Sequence, residues 1–187
     1  SQQFISGIQQ QESMSSILEE INRTYIKEKV NIDNYITGIL FRFSEFNSKD
    51  VCSVEFANAG HPHPLLFDSQ NDEVRELNIE NPDKQYGIIG VEGLDVSFPP
   101  ISFRMNINDI ILCYTDGLTE STNHKKETFS KKILMDILKE SKDGTAPEIL
   151  NYLMEKFQDF TTGESLSDDI TVIVLKRNNS KEYIQEI

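Results

Sequence analysis

The sequence has no apolar run approaching the ~20 residues that a bilayer-crossing helix needs, and no signal peptide is visible. The chain is therefore expected to be cytoplasmic, whether or not a parent protein is anchored in a membrane. Cysteine is scarce. Cys52 and Cys113 both lie in strand-like runs, without metal-ligand spacing or a disulfide framework, and read as buried thiols in a reducing compartment. Tryptophan is absent, so the aromatic content is 11 Phe and 6 Tyr. Basic residues are short as well, 18 against 31 acidic, for a formal charge of −13. Such a surface argues against nucleic acid or an anionic membrane as the main partner. It also repels phosphorylated substrates at long range unless cations sit at the binding site. There is no Gly-rich P-loop, no G-x-S-x-G and no H-E-x-x-H, so nothing marks a nucleophile. An initiator Met is lacking too: the chain opens Ser1-Gln2-Gln3 in helix-like sequence, which raises the expectation of a fragment of something longer.

What is present fits one sizeable domain of 187 residues, without internal repeat or linker. Phe4, Ile5 and Ile8 have the spacing of a helix end. "SSILEEINRTY" predicts a helix with Ser16 and Glu19 in capping-box register and Ile17, Ile21 and Tyr25 on one stripe. Residues 34–43 predict a strand, and "VCSVEFAN" its hairpin partner across a polar connection. "AGHPHPLLFD" predicts a turn and a short strand, another strand follows around 73–79, then strands at 94–105 and 109–115 around "NIND". Two helices come next, over 129–140 and from Thr145 onward. The second has Thr145 and Glu148 in capping-box register, Pro147 in its first turn, and a stripe of Leu150, Leu153, Met154 and Phe157. A strand at 169–176 and a charged tail close the chain. Hairpins and amphipathic helices in blocks, rather than in strict alternation, indicate an α+β layered domain.

Chemistry concentrates where strands surface. Asp116 follows the almost wholly apolar 110–114, and Gly117 comes directly after it, permitting a sharp turn and close approach of a ligand. A carboxylate at a core edge is costly unless paired or metal-bound. On spacing alone the commoner role of a turn or N-cap aspartate is favoured. Asp168 and Asp169 lead into the apolar "ITVIVL"; adjacent residues at a strand start point to opposite faces, so at most one can share a site with Asp116. Should the two strands be neighbours in one sheet, the carboxylates converge. Oxygen-only ligands suit Mg²⁺ or Mn²⁺ rather than Zn²⁺. His61 and His63 flank Pro62 and read as packed, hydrogen-bonded turn residues before metal ligands.

Three stretches in order, "FANAGHPHPLLF", "DIILCYTDGLTES" and "SDDITVIVLKR", with Gly90 of "GIIGV" between the first two, resemble the metal-dependent PPM serine/threonine phosphatases (protein phosphatase type 2C). The nearest resemblance is to the bacterial branch of the sporulation stage II phosphatase and the stress regulators of partner switching, to which the helix "SSILEEINR" also conforms. It covers residues 1–177 as one phosphatase domain, leaving 178–187 as a tail. The resemblance implies a four-layer αββα sandwich with two or more Mn²⁺ or Mg²⁺ ions. Asp116 and Asp168 would be metal ligands, Gly117 would allow the turn, and Asp169 and His61 would support the site. The implied reaction is hydrolysis of phosphoserine or phosphothreonine by a metal-activated water, with no phosphoenzyme. The implied substrate is an anti-anti-sigma-like regulatory phosphoprotein, and an upstream sensor domain is expected in the parent protein.

The sequence departs from that pattern in two places. The family's bridging aspartate and a Gly-Asp-x-x-Gly-His-Gly-like motif lie upstream of what residues 1–30 offer, since Glu12, Glu19 and Glu20 fall on predicted helices. The domain is therefore expected to be incomplete at its N-terminus and inactive alone, with a sheet edge exposed to homodimerisation. Asn108 replaces the usual Gly of a Gly-Asp turn, which an Asn tolerates. The alternatives are a non-catalytic phosphatase-like binding or regulatory module and, more weakly, a phosphodiesterase-type hydrolase.

Overall fold

The structure, a computed structural model, describes residues 13–28, 34–44, 52–78, 87–93, 96–166 and 168–178. The helix end expected over 4–9, Glu12, and the tail from 179 onward lie outside the described residues. Contacts divide the chain into two compact units, Ser1–His61 with Asn78–Arg104, and Pro62–Leu77 with Met105–Ile187.

In the first unit, helix α1 (Met14–Glu28) buries Met14, Ile17 and Leu18 against Ala57, Ala59 and Phe98, with Ile21, Tyr25 and Leu40 packed around them. The alanines leave room for the helix to lie close to the strand. Strands β1 (Gly38–Phe43) and β2 (Cys52–Ala59) form the expected antiparallel hairpin in a register that sets Phe41 opposite Phe56. Their rings stack 5.2 Å apart on the face away from α1. The third strand, β5 (Ile101–Met105), adjoins β2.

Two sequence expectations need correction here. The helix starts before Ser16, so the box with Glu19 does not form. Ser13 Oγ instead accepts the Ser16 N–H at 3.1 Å, and Glu19 accepts the Ser15 hydroxyl. Of the strand expected over 94–105, the described residues form only Ile101–Met105, because Pro99 and Pro100 have no N–H to give a ladder, while 94–95 lie outside the described residues.

The second unit carries a four-stranded sheet of order β4-β3-β6-β7: β3 (Leu65–Asp68), β4 (Glu73–Glu76), β6 (Ile110–Tyr114) and β7 (Val172–Lys176), every neighbouring pair antiparallel. Between β5 and β6 the chain turns at Asn108, whose φ of 70° is the left-handed conformation expected of it. A short helix α2 (Asp116–Glu120) follows β6, then α3 (Lys131–Glu140) and α4 (Ala146–Phe160). Leu65, Phe67, Ile110, Leu112 and Tyr114 form one core with Leu134, Leu138, Ile149 and Leu153. Each such fully buried side chain contributes roughly 1.5–3 kcal/mol. The α4 stripe is centred on Ile149, Leu153 and Phe157 rather than Leu150, because i, i+4 steps hold one line toward the sheet while Leu150 and Met154 flank it half-buried.

The capping box at α4 forms as the sequence implies. Glu148 Oε2 accepts the Thr145 N–H at 2.7 Å and its hydroxyl at 2.8 Å, while Thr145 Oγ1 receives the Glu148 N–H. These bonds from Thr145 hold the Glu148 carboxyl below its ordinary value of 4.5. A depressed folded pKa means the contribution is complete above about pH 4.5 and fades as pH falls through the lower folded value. Thr145→Ala is expected to cost about 0.5–2 kcal/mol at neutral pH, as N-cap losses do. In thermal melts against pH, the gap between wild type and variant should narrow below pH 4.5. A constant gap down to pH 3 would show that the carboxylate is not part of the cap.

Candidate metal centre

β6 is central in its sheet, with β3 on one side and β7 on the other, and its apolar residues are buried except for half-buried Cys113. Burial pushes the Cys113 thiol up to about 11, which leaves it inert at neutral pH. The ladder with β7 ends at the Tyr114–Val172 pair. From there each residue of Thr115-Asp116-Gly117 has a separate task.

Thr115 continues the pairing. Its N–H donates to the Thr171 carbonyl at 3.1 Å. Its hydroxyl accepts the Thr171 N–H at 2.9 Å and donates to the Asp169 carbonyl at 3.2 Å. Asp116 then opens α2 and is exposed, with Oδ1 accepting the Gly117 N–H at 3.0 Å. Gly117 is buried where the other segment presses in: a Cβ there would stand 2.6 Å from the Asp169 carbonyl oxygen and 3.3 Å from the Asp168 Cβ. Glycine is needed for closeness here, not for an unusual φ. Asp168, also exposed, accepts the Asp169 N–H on its own Oδ1 at 2.7 Å.

The Asp116 and Asp168 segments are thus brought together across the β6–β7 boundary. Asp169 takes part through its backbone carbonyl while its side chain is exposed. His61 belongs to the first unit. Its N–H donates to Asn58 Oδ1 and its carbonyl accepts from Asn58 Nδ2, both at 2.8 Å. Its Nδ1 lies 3.3 Å from the Thr37 hydroxyl, and Gly60 before it has φ 69°. In the same unit Asn22 Oδ1 accepts the buried Gly90 N–H at 2.8 Å, where Gly90 (φ 96°) has no room for a Cβ beside Tyr25.

Sequence reasoning missed two residues of the second unit. Thr115 carries the clamp, and the signal was its hydroxyl at the last strand position before Asp116. Asp109, 1 % exposed, accepts from Ser69 and Asn106, and the signal was a carboxylate heading an apolar strand.

The donor chemistry fits a hard divalent cation in kind. Both carboxylates are solvent-facing, and each engages only Oδ1 with its neighbouring amide among the described residues. They are a partial ligand set, since no group of three or more His, Cys, Asp or Glu able to hold a metal occurs among the described residues. No described helix is long and apolar enough to cross a membrane.

A family model for stage II sporulation protein E (SpoIIE) matches residues 4–178. Protein IcfG of Synechocystis sp. is 25% identical over 126 residues, 67% of this chain and 19% of the relative. Among solved structures, the SiaA-PP2C domain of Pseudomonas aeruginosa superposes with a TM-score of 0.69 at 17% identity, covering 88% of this chain and 61% of that one. The phosphatase domain of the cell fate determinant SpoIIE from Bacillus subtilis, presoaked with manganese, gives 0.57 at 16% identity, over 88% of this chain and 66% of that one. The chain therefore spans about a fifth of its curated relative and under two thirds of these structures. The fold shared with them is the mixed α/β fold of PP2C phosphatase domains, with two antiparallel sheets and helices.

Proposed function

The chain belongs to the stage II sporulation protein E family, and on that premise we propose that residues 1–177 are a metal-dependent protein serine/threonine phosphatase domain of bacterial signalling. The observation that carries the reading is the contact of Gly117 with Asp168 and Asp169, which seats two carboxylate-bearing segments side by side. Asp116 and Asp168 would hold Mn²⁺ or Mg²⁺ by oxygen donors, as part of a larger ligand set. A cation bound there supplies water of lowered pKa and offsets charge on phosphoryl oxygens.

The chain's own residues do the positioning. The Thr115 hydroxyl fixes the 169–171 backbone, Gly117 admits it, and the Gly117 and Asp169 N–H groups orient one oxygen of each carboxylate. His61 with Asn58 rigidifies the turn after β2. The substrate class is a phosphoserine or phosphothreonine of a regulatory protein, following the resemblance to the partner-switching branch.

The test measures p-nitrophenyl phosphate and phosphoserine-peptide hydrolysis with Mn²⁺ or EDTA by a chain extended to carry the upstream metal-binding strands that the resemblance implies, alongside Mn²⁺ binding by calorimetry. Asp116→Asn and Asp168→Asn are each expected to lower metal-dependent turnover by more than the ~10–100-fold that outer partners of metal ligands carry, and to weaken Mn²⁺ binding. Undiminished turnover in either variant would remove that residue from the site. Mn²⁺ binding without turnover would favour a phosphatase-like binding module instead.

A further inference from the structure

The chain's charge is distributed unevenly. Residues 121–132, "STNHKKETFSKK", hold four of its 18 basic residues and one of its 31 acidic ones. Residues 121–130 form a tight hairpin with a Thr122–Thr128 bridge, and Lys131 and Lys132 open α3. The Asn123 side chain builds its tip: Oδ1 accepts the N–H groups of Lys125 and Glu127 at 2.9 and 3.1 Å, and Nδ2 donates to Glu127 Oε2 at 2.8 Å. Phe129, 1 % exposed, anchors its return strand in the core.

The hairpin is fastened to both carboxylate-bearing segments. The Ser121 hydroxyl donates to the Gly117 carbonyl at 2.7 Å, and Lys126 Nζ lies 3.1 Å from Glu164 Oε2 on the loop that leads to Asp168. Its base stands one short helix, about 7 Å of rise, from Asp116. Lys126 is paired in this way and Lys131 is paired with Glu76, whereas Lys125 and Lys132 are exposed.

We infer that this hairpin, with the first turn of α3, is the docking surface for an acidic segment flanking the phosphorylated residue of the substrate protein, an inference that rests on the phosphatase reading. A phosphoserine carries about −1.5 to −2 charges and approaches a chain of formal charge −13. With a Debye length of ~8 Å at physiological salt, distant charges are screened, and a segment lying on this surface meets mainly the exposed Lys125 and Lys132. Acidic residues next to the phosphoserine would lie over Lys125 and Lys132, drawing the substrate in despite the carboxylates at the site.

The test compares two fluorescent phosphoserine peptides, one flanked by glutamates and one by neutral residues, by anisotropy at 50 and 300 mM salt. Wild type is expected to bind the acidic peptide about tenfold tighter at low salt, a preference that salt erases. Lys125→Glu with Lys132→Glu, at two exposed positions, should abolish the preference while leaving p-nitrophenyl phosphate turnover of the upstream-extended chain unchanged. Equal affinity for both peptides, a preference that survives the double variant, or equally tight binding of single-stranded DNA would overturn the inference. Binding needs no turnover. A chain extended by the upstream strands that still fails to hydrolyse phosphate, but keeps a lysine-dependent acidic preference, would sink the phosphatase reading alone.

Discussion

Asp109→Ala is expected to destabilise the chain by ~3–5 kcal/mol, the scale of stranding several part-buried donors at about 1–3 kcal/mol each. Asp109 Oδ1 accepts the Ser69 N–H at 2.8 Å and the Ser69 hydroxyl at 2.6 Å. Oδ2 accepts the Asn106 N–H at 2.6 Å and Asn106 Nδ2 at 3.3 Å. One carboxylate thereby joins the turn after β3 to the turn before β6. Its own carbonyl accepts the Arg177 N–H at 3.0 Å, and the buried Arg177 guanidinium donates to the Met105 carbonyl, which ties in the end of β7. Alanine removes every side-chain acceptor at once and strands donors that cannot all reach water. A chain of this size loses ~2–4 °C per kcal/mol, so melting should fall by roughly 6–20 °C. Asp109→Asn should recover only part of the loss, because an amide turns a donor toward one of the two N–H groups. A shift below 2 °C for the alanine variant would mean that water takes over the carboxylate's bonds.

Gly117→Ala is expected to lower stability by ~1–3 kcal/mol, the cost of overpacking a tight contact, and to impair the site as well. Taken as a helix residue alone, Ala would gain about 1 kcal/mol over Gly. The contact decides against it. The added Cβ would stand 2.6 Å from a backbone oxygen of Asp169, which cannot rotate away as the tip of a side chain could. Relief requires α2 and the 168–171 segment to part, and the bonds holding them are those of the Thr115 hydroxyl. Melting should fall by ~2–12 °C. Mn²⁺ affinity should drop with it, because Asp116 and Asp168 ride on the two parting segments. A variant as stable as wild type, or more so, would show that the segments do not touch in solution.

Much of the architecture is written locally in this sequence. Thr145 and Glu148 stand three apart and cap α4, Asn108 adopts the left-handed turn, and the alternation of 38–43 with 52–59 yields a hairpin. Asp116 and Gly117 could be singled out because a continuous apolar strand ending in a carboxylate and a glycine is itself a local signal. Sequence also left errors at element ends, as at Ser16 and over 96–100, where the first turn of a helix and a proline pair outweighed the periodic pattern.

The neighbour relation of β6 and β7 was not legible. Thr115 and Asp169 are 54 positions apart, and an apolar run encodes burial but not which strand lies beside it. The same holds for Asp109, whose partner Ser69 is 40 positions away. The residue types available to the site were determined by the sequence. Tertiary structure decided which carboxylates share one end of a sheet, because only strand pairing, closed by a hydroxyl and by a glycine too small to obstruct, brings such distant backbone segments into contact.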